Sequence, residues 1–274
     1  MWVIGGNKFG NLNDVWNSSN GINWAQTTAS VPFLGGYLAS AVTFDDGSGS
    51  KIWVIGGVTP PGGGVSEVWK SADGANWSAA TTTAAFGARW GHTSLINGSP
   101  TSMWVIGGRS SSSAYLNDVW SSPDGVTWNQ TTAAANFSYR ENHASVLFNG
   151  KMWVIGGGDA SNLFNDVWSS ADGIIWSQVL ANGSASSAHF SARAGHTCAV
   201  FNGAIWLVGG WDGTTDKNDV WTSIDGANWN EVASGLAFPI RDSHTSLVFN
   251  SSLWVIAGSS LYPLVWYADV WHSP

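Results

Sequence analysis

The sequence predicts an all-β protein: a six-bladed β-propeller of four-stranded antiparallel blades, its first and last blades incomplete. Three observations predict it. One self-similar unit recurs six times along the 274 residues, and a period near 50 residues is a mark of propellers. Its segments are short, rich in Val, Ile, Thr and Trp, and separated by Asn-Gly, Gly-Gly and Asp-Gly, which is hairpin-turn chemistry. No window holds an uninterrupted helical stripe of about ten residues or more.

Tryptophan carries the period. Trp-Val-Ile-Gly-Gly begins at Trp2, Trp53, Trp104 and Trp153 and returns in altered form at Trp206 and Trp254, in steps of 51, 51, 49, 53 and 48 residues. Asp-Val-Trp ends at Trp16, Trp120, Trp168, Trp221 and Trp271, with Glu67-Val-Trp69 as the sixth copy. Asp-Gly-x-x-Trp ends at Trp77, Trp128, Trp176 and Trp229, and Asn20-Gly21 opens the copy that ends at Trp24. These strings hold 17 of the 20 Trp. In the third unit strand a opens at His92, strand b runs over 103–107, strand c over 118–121 and strand d over 128–131. Apolar b strands suit a blade covered on both faces by its neighbours. The expected strands number 22 rather than 24. One domain over 1–274 is therefore expected, a piece of a longer chain that assembles through its incomplete terminal blades.

Composition removes several functions. Charged residues make up 10% of the chain, and 44% is apolar, so it is neither disordered nor short of core. Net charge is −8 with ten Lys plus Arg, which excludes nucleic acid as the main partner. No apolar run reaches the roughly 20 residues of a membrane helix. One cysteine excludes an internal disulfide and a multi-thiolate zinc site. No cofactor is expected.

Arg-x-x-His before strand a, Gly-Gly closing strand b, Asp-Val-Trp in strand c and a Trp in strand d together resemble the kelch repeat, over residues 2–271. The resemblance implies the propeller also found in galactose oxidase, and docking of a protein or peptide. Ser122-Pro-Asp124-Gly125-Val-Thr-Trp128, Ser71 to Trp77 and Ser223 to Trp229 also resemble the Asp-box turn of sialidase-type propellers, a scaffold device that implies no sialidase activity.

Repeated residues are expected to be scaffold. Gly-Gly is expected to turn the backbone out of strand b, and the Asp of Asp-Val-Trp to bond a neighbouring loop's backbone. His92, His143, His196 and His244 open strand a and either bond the next blade's backbone or ring a metal. Ala39 breaks that ring. Cys198 is expected to be a small buried apolar residue rather than part of a galactose-oxidase-like copper site.

In an up-and-down blade the d-to-a and b-to-c connections share one face. All five arginines fall there, as do the three Trp outside the motifs and all five Tyr. The expected ligand-binding residues are Arg89, Trp90, Arg109, Tyr139, Arg140, Arg193, Trp211, Arg241 and Trp266, standing on a common rim. The opposite face offers short Asn-Gly and Asp-Gly turns. The function expected is a non-catalytic binding module for a protein or peptide. A lectin-like extracellular propeller that binds glycans is the alternative, followed by a galactose-oxidase-like or sialic-acid-handling enzyme. Seven Asn-x-Ser/Thr sequons point to a secreted or cell-surface glycoprotein with Asn97 and Asn250 as the accessible acceptors; a cytoplasmic location is the alternative.

Overall fold

The computed structural model describes residues 1–7, 10–33, 37–59, 62–183, 189–233 and 237–273. They are all-β, and the fold class is that of a six-bladed β-propeller with antiparallel blades. Two compact units, Met1–Ala135 and Asn136–Pro274, hold three blades each.

In the first unit, blade one comprises β1 (Trp2–Asn7), β2 (Asn11–Asn17) and β3 (Ala25–Thr28), paired in that order. Blade two begins with β4 (Ser40–Asp45) and β5 (Ser50–Ile55), passes through the small pair β6 (Val58–Thr59) and β7 (Gly63–Gly64), and ends with β8 (Val68–Ser71) and β9 (Ser78–Thr81). Blade three adds β10 (Arg89–Trp90) to the run β11 (Thr93–Asn97), β12 (Ser102–Ser110), β13 (Tyr115–Ser122) and β14 (Asn129–Thr132).

In the second unit, blade four is β15 (Ala144–Phe148), β16 (Lys151–Gly158), β17 (Leu163–Ser170) and β18 (Ser177–Leu180). Blade five is β19 (Thr197–Phe201), β20 (Ala204–Trp211), β21 (Asp216–Ser223) and β22 (Asn230–Ala233). Blade six has β23 (Thr245–Phe249) and β24 (Ser252–Ile256), then the hairpin β25 (Ser259–Leu261) and β26 (Leu264–Trp266), then β27 (Val270–His272). Setting aside β6, β7, β10, β25 and β26, the described blade strands number 22.

One expectation is corrected. Gly-Gly does not end strand b in blades three to five. The strand runs on to Ser110, Gly158 and Trp211, and the glycine pair sits on a bulge in the ladder to strand c. Space explains the glycines. A Cβ on Gly156 would stand 2.7 Å from Cε1 of His196 in the following blade, and one on Gly157 would stand 2.6 Å from Cβ of His143 in its own. Gly209 and Gly210 repeat this with His244 and His196, and Gly56 and Gly108 approach His92 in the same two ways. The pair is the socket into which histidines pack.

Within each unit neighbouring blades share their cores. Phe44, Trp53, Ile55 and Val68 of blade two pack with Met103, Val105 and Trp128 of blade three. Val146, Trp153, Ile155 and Val167 of blade four pack with Ile205, Leu207, Trp221 and Trp229 of blade five. An indole N–H is a lone donor that must be met when buried, and each Trp string meets it by its own rule. Trp153 donates to Phe148 O across its hairpin (2.9 Å), Trp168 to the Asp166 carboxylate (2.8 Å), and Trp176 to Gly173 O of its turn (3.0 Å). The same three rules hold at Trp53, Trp69 with Glu67, and Trp77.

Candidate functional site

The repeated arginines are inside the protein. Arg89, Arg140, Arg193 and Arg241 are 2, 0, 1 and 0% exposed. Arg140 forks onto Asp166, Nη1 to Oδ1 at 2.7 Å and Nη2 to Oδ2 at 2.9 Å, and also donates to Gly156 O (2.8 Å) and Ser138 O (3.0 Å). Arg89 holds Asp118, Arg193 holds Asp219 and Arg241 holds Asp269 in the same fork. The expectation that these four stand on an accessible rim is therefore corrected: a desolvated guanidinium needs its carboxylate and carbonyls around it. The Asp of Asp-Val-Trp in blades three to six is corrected with it, because it accepts from an arginine and an indole rather than a loop backbone. Burial alone would raise Asp219 and Asp269, but the arginine hydrogen bonds outweigh it and hold both below the ordinary carboxylate value.

A repeated Phe, unremarked in the sequence, completes the latch. Phe86, Phe137, Phe190 and Phe238 stand three residues before the four arginines, whose guanidinium carbons lie 5.4–5.9 Å from those rings. Phe86, Phe137 and Phe190 also meet the strand d Trp128, Trp176 and Trp229 edge to face, at 4.9, 5.2 and 5.0 Å. The constant Phe-x-x-Arg-x-x-His spacing was the signal for it.

His92, His196 and His244 bond backward, not forward. His196 Nε2 meets Ile155 O of the preceding blade at 3.2 Å, and His92 and His244 meet Ser40 and Thr197 hydroxyls of the preceding blades at 2.9 Å. Burial first, then the adjacent arginine, pushes His92, His196 and His244 down to about 3. Among the described residues no three His, Cys, Asp or Glu side chains are grouped to hold a metal ion. Burial pushes the Cys198 thiol well above its usual range, which leaves it in its unreactive neutral form.

Two positions remain constant in backbone and variable in side chain. In blades three to six the residue after the latch arginine pairs with the residue after the glycine pair or its Ala-Gly equivalent, which pairs in turn with a residue of the returning strand. Blades two to six thus each have a cross-strand row at the loop end. In blade three the row is Trp90–Arg109–Tyr115, and in blade two it is Tyr37–Val58–Gly64. In blade four it is Glu141–Gly158–Leu163, in blade five Ala194–Trp211–Asp216, and in blade six Asp242–Ser259–Trp266. Of the expected site residues, Trp90, Arg109, Trp211 and Trp266 fall on rows, each half-buried.

The rows differ in chemistry. In blade three the Arg109 guanidinium lies over Tyr115 at 4.9 Å and Trp90 at 5.8 Å, a stacked cation. In blade five Trp211 lies 6.3 Å from Tyr262, which is 77% exposed at the tip of the blade six hairpin between Leu261 and Leu264, themselves 43 and 61% exposed. Tyr139 is exposed but lies off the rows. At the turn end, Asn250 is exposed, while Asn97 is half-buried and its carbonyl takes the Trp104 indole. That end is less plain than expected, because Ile22, Ile174, Ile175 and Ile224 are 56–75% exposed in its c-to-d turns.

The family model for the KLHDC2/KLHL20/DRC7 Kelch-repeats domain matches residues 39–258. The class is thus a kelch-repeat β-propeller, a fold that typically serves protein interaction and is generally not enzymatic. The chain belongs to this Kelch-repeats family. No curated protein matches it. Kelch domains of this kind are usually intracellular, so the expected secreted or cell-surface location has no support; among the described residues there is no helix long and apolar enough to cross a membrane.

Proposed function

We propose that this chain is a non-catalytic binding module whose protein or peptide partner docks along the cross-strand rows at the loop ends of its blades. One observation carries the proposal. At the row positions the backbone pairing is the same in blades three to six while the side chain changes from Trp to Glu, Ala or Asp. The latch one residue earlier keeps its arginine in blades three to six. Packing demands act equally on repeated blades, so a position that varies inside a constant backbone is one the scaffold leaves open. Aromatic and arginine side chains there are the types that dominate protein interfaces. Family membership supports the class of function. No feature of the rows favours a glycan or an enzyme substrate over a protein.

The test is selection of a random dodecapeptide phage library on the whole chain. Selected peptides are then rebound to Trp90→Ala with Arg109→Ala, to Trp211→Ala, and to the turn-end variant Ile174→Ser with Ile224→Ser. Loss on a row variant with retention on the turn-end variant is expected. Peptides that ignore both row variants and need the isoleucines would overturn the proposal.

A further inference from the structure

Two acids at the loop end of the second unit, Asp216 and Asp242, lack what other buried or half-buried acids of that unit have. Asp166, Asp219 and Asp269 each hold an arginine, and Asp212 holds Lys217 at 2.6 Å. Asp216 and Asp242 hold no cation. Asp216 is 2% exposed; its Oδ2 accepts the Leu261 N–H at 2.7 Å and its Oδ1 has no partner. Asp242 is half-buried and accepts the Ser259 hydroxyl at 2.9 Å. Ser243 and its own backbone give Asp242 smaller support, but burial costs a carboxylate its hydration, and neutral hydrogen bonds without a cation do not replace it here. Burial is accordingly the first cause that raises both groups. Asp216 adds to it at Asp242, which stands at about 6 despite the Ser259 bond, and Asp212 adds to it at Asp216.

The acids adjoin exposed apolar surface. Asp216 pairs with Trp211 in its row and bonds Leu261, and Asp242 pairs with Ser259, so both touch the hairpin that carries Leu261, Tyr262 and Leu264. Tyr262 in turn lies against Trp211. An exposed aliphatic and aromatic shelf beside two uncompensated carboxyls fits a long side chain with an apolar stem and a cationic head.

Resting on the proposed function, we infer that the loop end of the second unit receives a Lys or Arg side chain of the partner, its cationic head at Asp242 above Asp216 and its stem on Tyr262 and Trp211. The shelf supplies apolar area and a ring face for the cation. The carboxyls supply orientation, and they gain the positive charge that the protein itself does not provide.

Two fluorescent octapeptide pools test this, randomised except at the centre, which is Lys or Arg in one pool and Glu or Asp in the other. Binding to the whole chain is read by anisotropy. The basic pool is expected to bind about tenfold more tightly than the acidic one. Asp216→Asn with Asp242→Asn should erase that difference, and Tyr262→Ser should reduce it. Ile174→Ser with Ile224→Ser, at the turn end, should leave it. A melting curve for each variant reports folding, and Tyr262→Ser, a change at a 77% exposed side chain, decides the matter if the double variant unfolds. Equal binding of the pools, or a preference that survives both the double variant and Tyr262→Ser, would overturn the inference. Phage peptides that need the rows yet carry no Lys or Arg would overturn it alone and leave the proposed function standing. Peptides that ignore the rows would overturn the proposed function itself.

Discussion

Arg89 and Trp90 are neighbours in one short strand, yet they belong to different parts of the molecule. Arg89 is 2% exposed and forks onto Asp118 within its own blade; Trp90 pairs with Arg109 at the loop end and is half-buried. The same division recurs at Arg193 beside Ala194 and at Arg241 beside Asp242. Strand alternation sends successive side chains to opposite sides, so one residue step separates a position held by packing from one that packing leaves open. Repetition along the chain therefore marks the latch, and departure from repetition marks the surface.

Acid should break the latch first and most. His92, His196 and His244 titrate near 3 when folded and near 6.5 when unfolded. Their folded value is depressed, so the unfolded chain takes up more protons between these limits. Stability is then full above about pH 6.5 and falls as the pH drops toward 3, with a slope on the order of 1 kcal/mol per pH unit for each histidine. Urea midpoints from pH 7.5 to 4.5 should show this, and His196→Asn should flatten part of the slope. A flat profile would detach the histidines from the latch.

Cutting the ion pair comes next. Arg140→Ala leaves Asp166 buried without its cation and should cost roughly 3–5 kcal/mol, whereas Arg140→Met with Asp166→Leu should recover most of that loss. A loss below about 1 kcal/mol in denaturation would place the arginine outside the scaffold. The histidine socket offers a smaller and reversible test. Gly156 has φ +58 and no room for a methyl, so Gly156→Ala should cost about 2 kcal/mol or more. Blade six carries Ala257 at the matching position with φ 57, and Ala257→Gly should gain up to about 1 kcal/mol by relieving left-handed strain.

Changes in the rows should be the mildest. Asp242 has a raised folded value, so its contribution is present below the unfolded value near 4 and is lost as pH rises through about 6. At pH 7.5 its charge is a burden, and Asp242→Asn should raise the melting temperature there but not at pH 4.5. Tyr262→Ser should alter stability by less than about 0.5 kcal/mol. Row changes that unfold the protein as readily as Arg140→Ala would erase the distinction between latch and surface.

Much of this was legible in the chain. Six copies of the Trp-Val-Ile-Gly-Gly strand, with turn residues between β-forming segments, determined an all-β blade architecture and its 22 strands. Hairpins are local, and their periodicity and turn chemistry are written in consecutive residues. The binding face was only half legible. Counting arginines on one side of each blade placed Arg89, Arg140, Arg193 and Arg241 beside Trp90 and Trp211 as if they were equivalent. Their partners Asp118, Asp166, Asp219 and Asp269 lie 26–29 residues away, and no local pattern states that a charge so placed will be buried.

The sequence by itself thus determined which segments become strands and how they succeed one another. Only the tertiary structure decided that a repeated arginine closes its blade, that Gly-Gly is a socket for two histidines, and that Asp216 and Asp242 come together without a cation. Each of those depends on desolvation and distance between residues far apart in the chain, and these arise only when the sheets pack.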